Sequence, residues 1–230
     1  MASERSLDGS VVAVIGVTGG LGSAIASELT ARGATVYGVN RSGPPTTAGP
    51  GASVDLTVDV RDAGAGDEIV RGALETHARL DGVIVAAGIV AFGDVADTDD
   101  VVLEELMLTN SMAPFWIARR VASPLTESRG FFVNISGMIA DTPMPGMAAY
   151  AASKAAAAAG LVALRKEWRK AKVLVVDARP PHTETGLATR PLAGVSPTMP
   201  TGLEPSQVAR RIVDAVVSGE TELAPDAFTA

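Results

Sequence analysis

The chain of 230 residues carries 26 acidic side chains against 19 Lys and Arg, a formal net charge of −7, and no cysteine. The acidic balance and an aromatic content of only 4% argue against nucleic acid as a partner, and the missing thiols exclude disulfides, cysteine-ligated metals and thiol catalysis. The length suits a single domain over residues 1–230 that buries roughly 70% of its unfolded surface, while the apolar runs stop far short of the ~20 residues a membrane span needs.

Residues 1–10 are polar, and the apolar run Val11–Ile15 is too short for the core of a secretory signal, so a cytoplasmic location is expected. That run breaks at Gly16, and residues 21–32 carry spaced apolar positions, which reads as strand, tight turn, helix. Residues 34–39 and 53–58 form further short strands, separated by a Pro- and Gly-rich surface connection over 42–51; residues 67–78 have helical spacing. Residues 83–85 lead into a long helical stretch at 101–122, and the strand 131–135 precedes an Ala-rich helix at 147–170. A sixth strand at 173–176 is followed by an irregular segment, 180–205, long enough to be a substrate-covering loop. A helix at 206–217, with Ser206 near its start and Gly219 after its end, and a weak strand near Glu222 and Leu223 close the domain. Short β-branched strands alternating with helices predict an α/β fold: a Rossmann-like, doubly wound parallel sheet of about seven strands flanked by helices.

The first turn, with Thr18, Gly19 and Leu21 between Gly16, Gly20 and Gly22, keeps side chains away from a helix N-terminus. Its exposed amides and the helix dipole suit a pyrophosphate. The Gly-x-x-x-Gly-x-Gly spacing is neither the common Gly-x-Gly-x-x-Gly pattern nor a P-loop, which would need a Lys. A turn chosen only for backbone freedom is the competing explanation. At the end of the second strand Asn40 and Arg41 stand where many NAD-binding folds carry a carboxylate against the adenosine ribose. Arg41 can pair with a 2′-phosphate, so NADP(H) is favoured, with NAD(H) as the alternative. Asp59 and Val60 offer a carboxylate and an amide to an adenine edge, unless Asp59 merely caps the following turn.

Tyr150 and Lys154 lie four residues apart and so on one helix face. A nearby ammonium lowers a phenol's pKa and makes it a general acid or base. With the glycine turn at the other end of the chain, the sequence resembles the short-chain dehydrogenase/reductase family, in particular its classical single-domain members, over nearly its whole length. The family's Thr-Gly-x-x-x-Gly-x-Gly turn matches residues 15–22 with Ile15 in place of Thr, and Asp59 matches its adenine contact. The Asn-Asn-Ala-Gly element becomes Val85-Ala86-Ala87-Gly88, a loss expected to weaken local sheet tethering more than cofactor chemistry. The resemblance implies that Asn110 holds a water in a proton relay and that Tyr150 and Lys154 are the Tyr-x-x-x-Lys pair. Tyr150 then exchanges the substrate proton, while Lys154 lowers its pKa and holds the nicotinamide ribose.

Two departures stand out. Family members place a catalytic serine 13 residues before the tyrosine, where this chain has Gly137, and Ser136 is one residue further away. Either a loop adjustment brings Ser136 to the substrate oxygen, the reading preferred here, or the serine is absent. After the sixth strand Pro-Gly-x-x-x-Thr becomes Pro180-Pro181-His182-Thr183-Glu184-Thr185. Thr185 retains the nicotinamide-contact position, Pro180 and Thr183 flank it, and His182 is a secondary candidate for substrate contact.

The basic cluster from Arg165 to Lys172 complements a helix C-terminus. No Gly-x-Ser-x-Gly elbow supports hydrolysis, and no metal site is expected. The resulting expectation is an NADP(H)-dependent oxidoreductase interconverting a ketone or aldehyde and an alcohol, acting on a small molecule. Family resemblance makes the Ala-rich helix an interface of a homodimer or homotetramer. A non-redox isomerase, dehydratase or epimerase on the same scaffold and a non-enzymatic dinucleotide sensor are the rivals.

Overall fold

All five residues of Val11–Ile15 are buried, as a strand covered on both faces requires. This strand, β1, is the centre of the computed structural model, which describes residues 4–43 and 53–229. In chain order there follow α1 (Gly20–Ala31), β2 (Thr35–Asn40), β3 (Leu56–Thr57), α2 (Ala65–His77) and β4 (Gly82–Val85). Next come α3 (Asp100–Met107), α4 (Ala113–Ser128), β5 (Phe131–Ile135), α5 (Ala148–Trp168), β6 (Leu174–Ala178), α6 (Pro205–Ser218) and β7 (Glu222–Leu223). The seven strands form one sheet in the order β3-β2-β1-β4-β5-β6-β7, every pair parallel.

The two-residue period of β1 sorts the core. Val12 and Val14 pack with Ile25 and Leu29 of α1 and Ile212 of α6. Ala13 and Ile15 face the other way, toward Ile69 of α2, Ile117 of α4 and Leu161 of α5. Each large side chain buried in these layers contributes about 1.5–3 kcal/mol. Strand order reverses between β1 and β4, so the connections leave these neighbours in opposite directions and open a crevice at their C-terminal ends.

The structure departs from the sequence reading in two places. The strand expected over 53–58 shrinks to Leu56–Thr57, because the Asp55 carboxylate accepts the Gly38 N–H at 2.6 Å and draws the preceding residues off the ladder. The helix expected over 101–122 is divided by a π-helical turn at Leu108–Met112. The segment 180–205 is not free: Thr183 bridges to Leu203, the Leu192 N–H donates to Val90 O at 2.8 Å, and the Phe92 N–H donates to Ala193 O at 3.0 Å. It forms a strap fastened across the crevice. Apart from Ser42 and Gly43, the connection expected over 42–51 lies outside the described residues. Among the described residues no helix is long and apolar enough to cross a membrane.

Candidate active site

The crevice holds a cavity of about 600 Å³ that runs from the turn after β1 to the strap. Gly16, Thr18, Gly19, Gly20, Leu21 and Gly22 line one side, and Ala86, Ala87 and Gly88 line the floor. The glycines are there for close approach. A Cβ on Gly16 would stand 2.8 Å from Ala87 N, one on Gly20 would stand 2.7 Å from Thr185 Cα, and one on Gly22 would run into the Gly16 carbonyl. The turn therefore presents backbone to the cavity at the N-terminus of α1, a cradle that fits a pyrophosphate.

Asn40, Arg41, Asp59 and Val60 line the far end of the cavity. Arg41 is exposed and forms no hydrogen bond or ion pair among the described residues, so its guanidinium is available to an anion. Asp59 is engaged. Its carboxylate accepts the Arg61 N–H at 3.0 Å and binds the Arg61 guanidinium, whose other side pairs with Glu105. The hydrogen bonds from Arg61 hold the Asp59 carboxyl below the usual carboxylate range. Asp59 thus caps its turn, as the competing reading had it, while still lining the cavity. Arg61 is a cavity residue that the sequence analysis missed, although its spacing two residues after Asp59 is that of an Asx turn.

At the opposite end Tyr150 and Lys154 project from α5. Lys154 is 6% exposed, and its ammonium makes one hydrogen bond, donated to Ile135 O at 2.7 Å. Its two remaining N–H groups have no acceptor among the described residues, a donor set that fits a ribose diol. Burial lowers the Lys154 pKa to about 8, and the Asp177 carboxylate opposes that fall. Burial pushes the Tyr150 phenol up to about 12. This direction is opposite to the one expected from a neighbouring ammonium: loss of water raises the pKa, and the phenol is held protonated, ready to give rather than take a proton.

Asn110 does not line the cavity. The π-helical turn directs its amide inward, where Oδ1 accepts the Ile89 N–H at 3.0 Å and Nδ2 donates to Ile89 O at 2.9 Å and Ser153 Oγ at 3.0 Å. Both amide hydrogens are used, so the side chain has none to donate to a relay water. It instead ties the segment after β4 to α5, replacing the tether lost with the two asparagines before Gly88. A Cβ on Gly88 would lie 3.2 Å from Asn110 Oδ1 and 3.3 Å from Lys154 Nζ, which explains why that position has no side chain.

Ser136 corrects the preferred reading. It is fully buried, and its Oγ donates to Asp177 Oδ1 at 2.5 Å while accepting from Asn134 Nδ2 at 3.3 Å. Ser136 still lines the cavity, but its hydroxyl is committed to Asp177 and Asn134. Arg179 completes this buried group, pairing with Asp177, Asp141 and Glu222. Gly137 carries the backbone past the cavity at φ 78° and ψ 159°, a region nearly confined to glycine. A serine there would have space, the nearest atom to its Cβ being Pro180 O at 3.9 Å, but strain of about 1–3 kcal/mol. Gly137→Ser is therefore expected to lower the melting temperature and give no increase in carbonyl reduction, as thermal melts and initial rates will show.

Pro180, Thr183, Thr185 and His182 line the strap side, His182 Nε2 lying 3.4 Å from Glu184 Oε1. Four of the seven methionines, Met138, Met144, Met147 and Met199, face the same end. Irregular loops carry three of them, so no periodicity marked them. Their adaptable side chains suit an apolar molecule. Among the described residues no group of three His, Asp or Glu could hold a metal ion.

Comparison with known proteins places these features in context. A family profile described as short chain dehydrogenase matches residues 10–193. An uncharacterized oxidoreductase of Methylorubrum extorquens is 29% identical over 198 residues, covering 82% of this chain and 79% of its own. The 2,3-dihydro-2,3-dihydroxybenzoate dehydrogenase of Bacillus subtilis is 27% identical, with coverage of 95% and 92%. Among solved structures, the 3-ketoacyl-(acyl-carrier-protein) reductase of Brucella melitensis complexed with NADH superposes with a TM-score of 0.84 at 21% identity, covering 95% of this chain and 97% of that one. A short chain dehydrogenase of Burkholderia cenocepacia in complex with NADP gives a TM-score of 0.77 at 24% identity, with coverage of 97% and 91%.

Proposed function

The chain belongs to the short-chain dehydrogenase family, and from that premise we propose that it is an NADP(H)-dependent oxidoreductase interconverting a ketone or aldehyde and an alcohol. The observation that carries this reading is Lys154, a buried ammonium with two donors unused, set in the same cavity as a protonated Tyr150 and a side-chain-free phosphate cradle. A bound nicotinamide would supply the hydride chemistry at the carbonyl carbon. In reduction the Tyr150 hydroxyl gives its proton to the carbonyl oxygen. Lys154 donates to the ribose hydroxyls and offsets negative charge on the departing phenolate. Thr185 and Gly20, which both line the cavity, would hold the nicotinamide amide and the pyrophosphate. Asn110 keeps α5 in register with the cavity floor through Ile89 and Ser153.

The four methionines, with Phe92 and Leu187, favour a substrate with an apolar body. A panel of apolar ketones and aldehydes, followed by NADPH absorbance and product analysis, tests the reaction: one NADPH oxidised per alcohol formed supports it. The absence of a substrate-facing hydroxyl at Gly137 favours one second reading, a non-redox isomerisation, dehydration or epimerisation. Product formed without net nicotinamide oxidation would establish that reading instead.

Arg41 supports NADP(H) over NAD(H), since among the described residues its guanidinium makes no ion pair, although the Asp59 carboxylate lies near enough to feel its charge. Arg41→Ala is expected to weaken NADPH about 10- to 100-fold, the worth of a charge-assisted hydrogen bond, and to leave NADH nearly unchanged. Paired titrations of parent and variant check this. Met107, Met112 and Val162 are exposed along α3, the π-helical turn and α5, which supports a homodimer or homotetramer through this side.

A further inference from the structure

Arg41, Arg61, Lys154 and Arg190 are the Lys and Arg side chains lining the cavity. Arg61 is neutralised by Asp59 and Glu105, Arg41 stands at the end of β2, and Lys154 belongs to the catalytic end. Arg190, on the strap, has no ion pair among the described residues. Its Nε donates to Gly186 O at 3.0 Å and its Nη2 to Thr185 O at 3.5 Å. Neutral carbonyls orient a guanidinium without cancelling its charge, and most of its N–H donors stay unused.

The more distant of the two carbonyls that orient Arg190 faces the glycine turn: a Cβ on Gly20 would lie 2.8 Å from Thr185 O. On the other side of Arg190 the strap is fastened to the lip after β4 through Leu192 with Val90 and Ala193 with Phe92. Arg190 thus sits on a short bridge between the two lips, its guanidinium anchored through Thr185 and Gly186 on the side of the glycine turn. The cradle itself offers only amides and a helix dipole, equivalent to about half a positive charge, to a doubly charged pyrophosphate.

We infer that Arg190 is the counter-charge of the dinucleotide pyrophosphate, pairing with it from the strap side opposite the N-terminus of α1. The inference rests on the dinucleotide reading above and adds a binding residue outside the glycine turn. ADP-ribose, which carries the pyrophosphate but no nicotinamide, separates this role from catalysis.

ADP-ribose is titrated calorimetrically into the parent, Arg190→Gln and Arg190→Lys at low and physiological salt. Melting curves establish that the variants fold, as the exposed position of Arg190 leads us to expect. The expected result is a 10- to 100-fold weaker affinity in Arg190→Gln, partial recovery in Arg190→Lys, and a gap that narrows with salt. Equal affinity in parent and Arg190→Gln would overturn the role of Arg190 and leave the dinucleotide reading intact. Failure of the parent to bind ADP-ribose would overturn both.

Discussion

Tyr150→Phe is expected to lower turnover by about 10²- to 10⁴-fold, the range supplied by a positioned general acid, with cofactor affinity close to the parent's. In the proposed reaction the phenol is the group whose proton reaches the carbonyl oxygen, and its pKa of about 12 keeps that proton in place across the working range. The cofactor cradle depends on other residues, so affinity and turnover separate in this variant. The parent's reductive rate should also fall as pH rises through about 8, where Lys154 loses the proton it needs to hold the ribose. Residual turnover within tenfold of the parent would remove Tyr150 from the role.

Gly22→Ala is expected to weaken NADPH by more than about 100-fold and to destabilise the fold by about 1–3 kcal/mol, the usual range for overpacking. The new Cβ would meet the Gly16 carbonyl, which is backbone and has no rotamer to escape into. Relief requires the turn to open, which moves the amides of the cradle away from the phosphates. Gly43→Ala is the control, since a Cβ at Gly43 meets no atom of the described residues within 4 Å. Its melting temperature and NADPH affinity should match the parent's. Equal NADPH affinity in Gly22→Ala and the parent would mean that the turn after β1 is not the phosphate site.

The parts of this site readable in the sequence are those governed by local spacing. Gly16, Gly20 and Gly22 mark a close backbone approach whatever the rest of the chain does, and the four-residue interval from Tyr150 to Lys154 puts both on one helix face. Ser136 was misread because spacing from the tyrosine says nothing of how far strand alternation persists. Asn134, Ser136 and Asp177 share one side of the sheet, and the last of these is 41 residues beyond Ser136 in sequence. The raised Tyr150 pKa likewise depends on burial contributed by several elements. Asn110 was singled out for a water relay through the family resemblance, whereas its bonds to Ile89 and Ser153 need a π-helical turn that no periodicity announced. The strap was readable as a long irregular segment, whereas its fastenings to Val90 and Phe92 are backbone contacts without any side-chain signature.

The central claim is that the crevice between β1 and β4 is a nicotinamide dinucleotide site with Arg41 as its 2′-phosphate partner. Fluorescence titration of the purified protein with NADPH and NADH in parallel tests it most directly. The account predicts saturable binding of both with NADPH tighter by about tenfold or more, the worth of one charge-assisted hydrogen bond. Binding of neither cofactor would contradict the claim and point to a protein that keeps the scaffold without the chemistry.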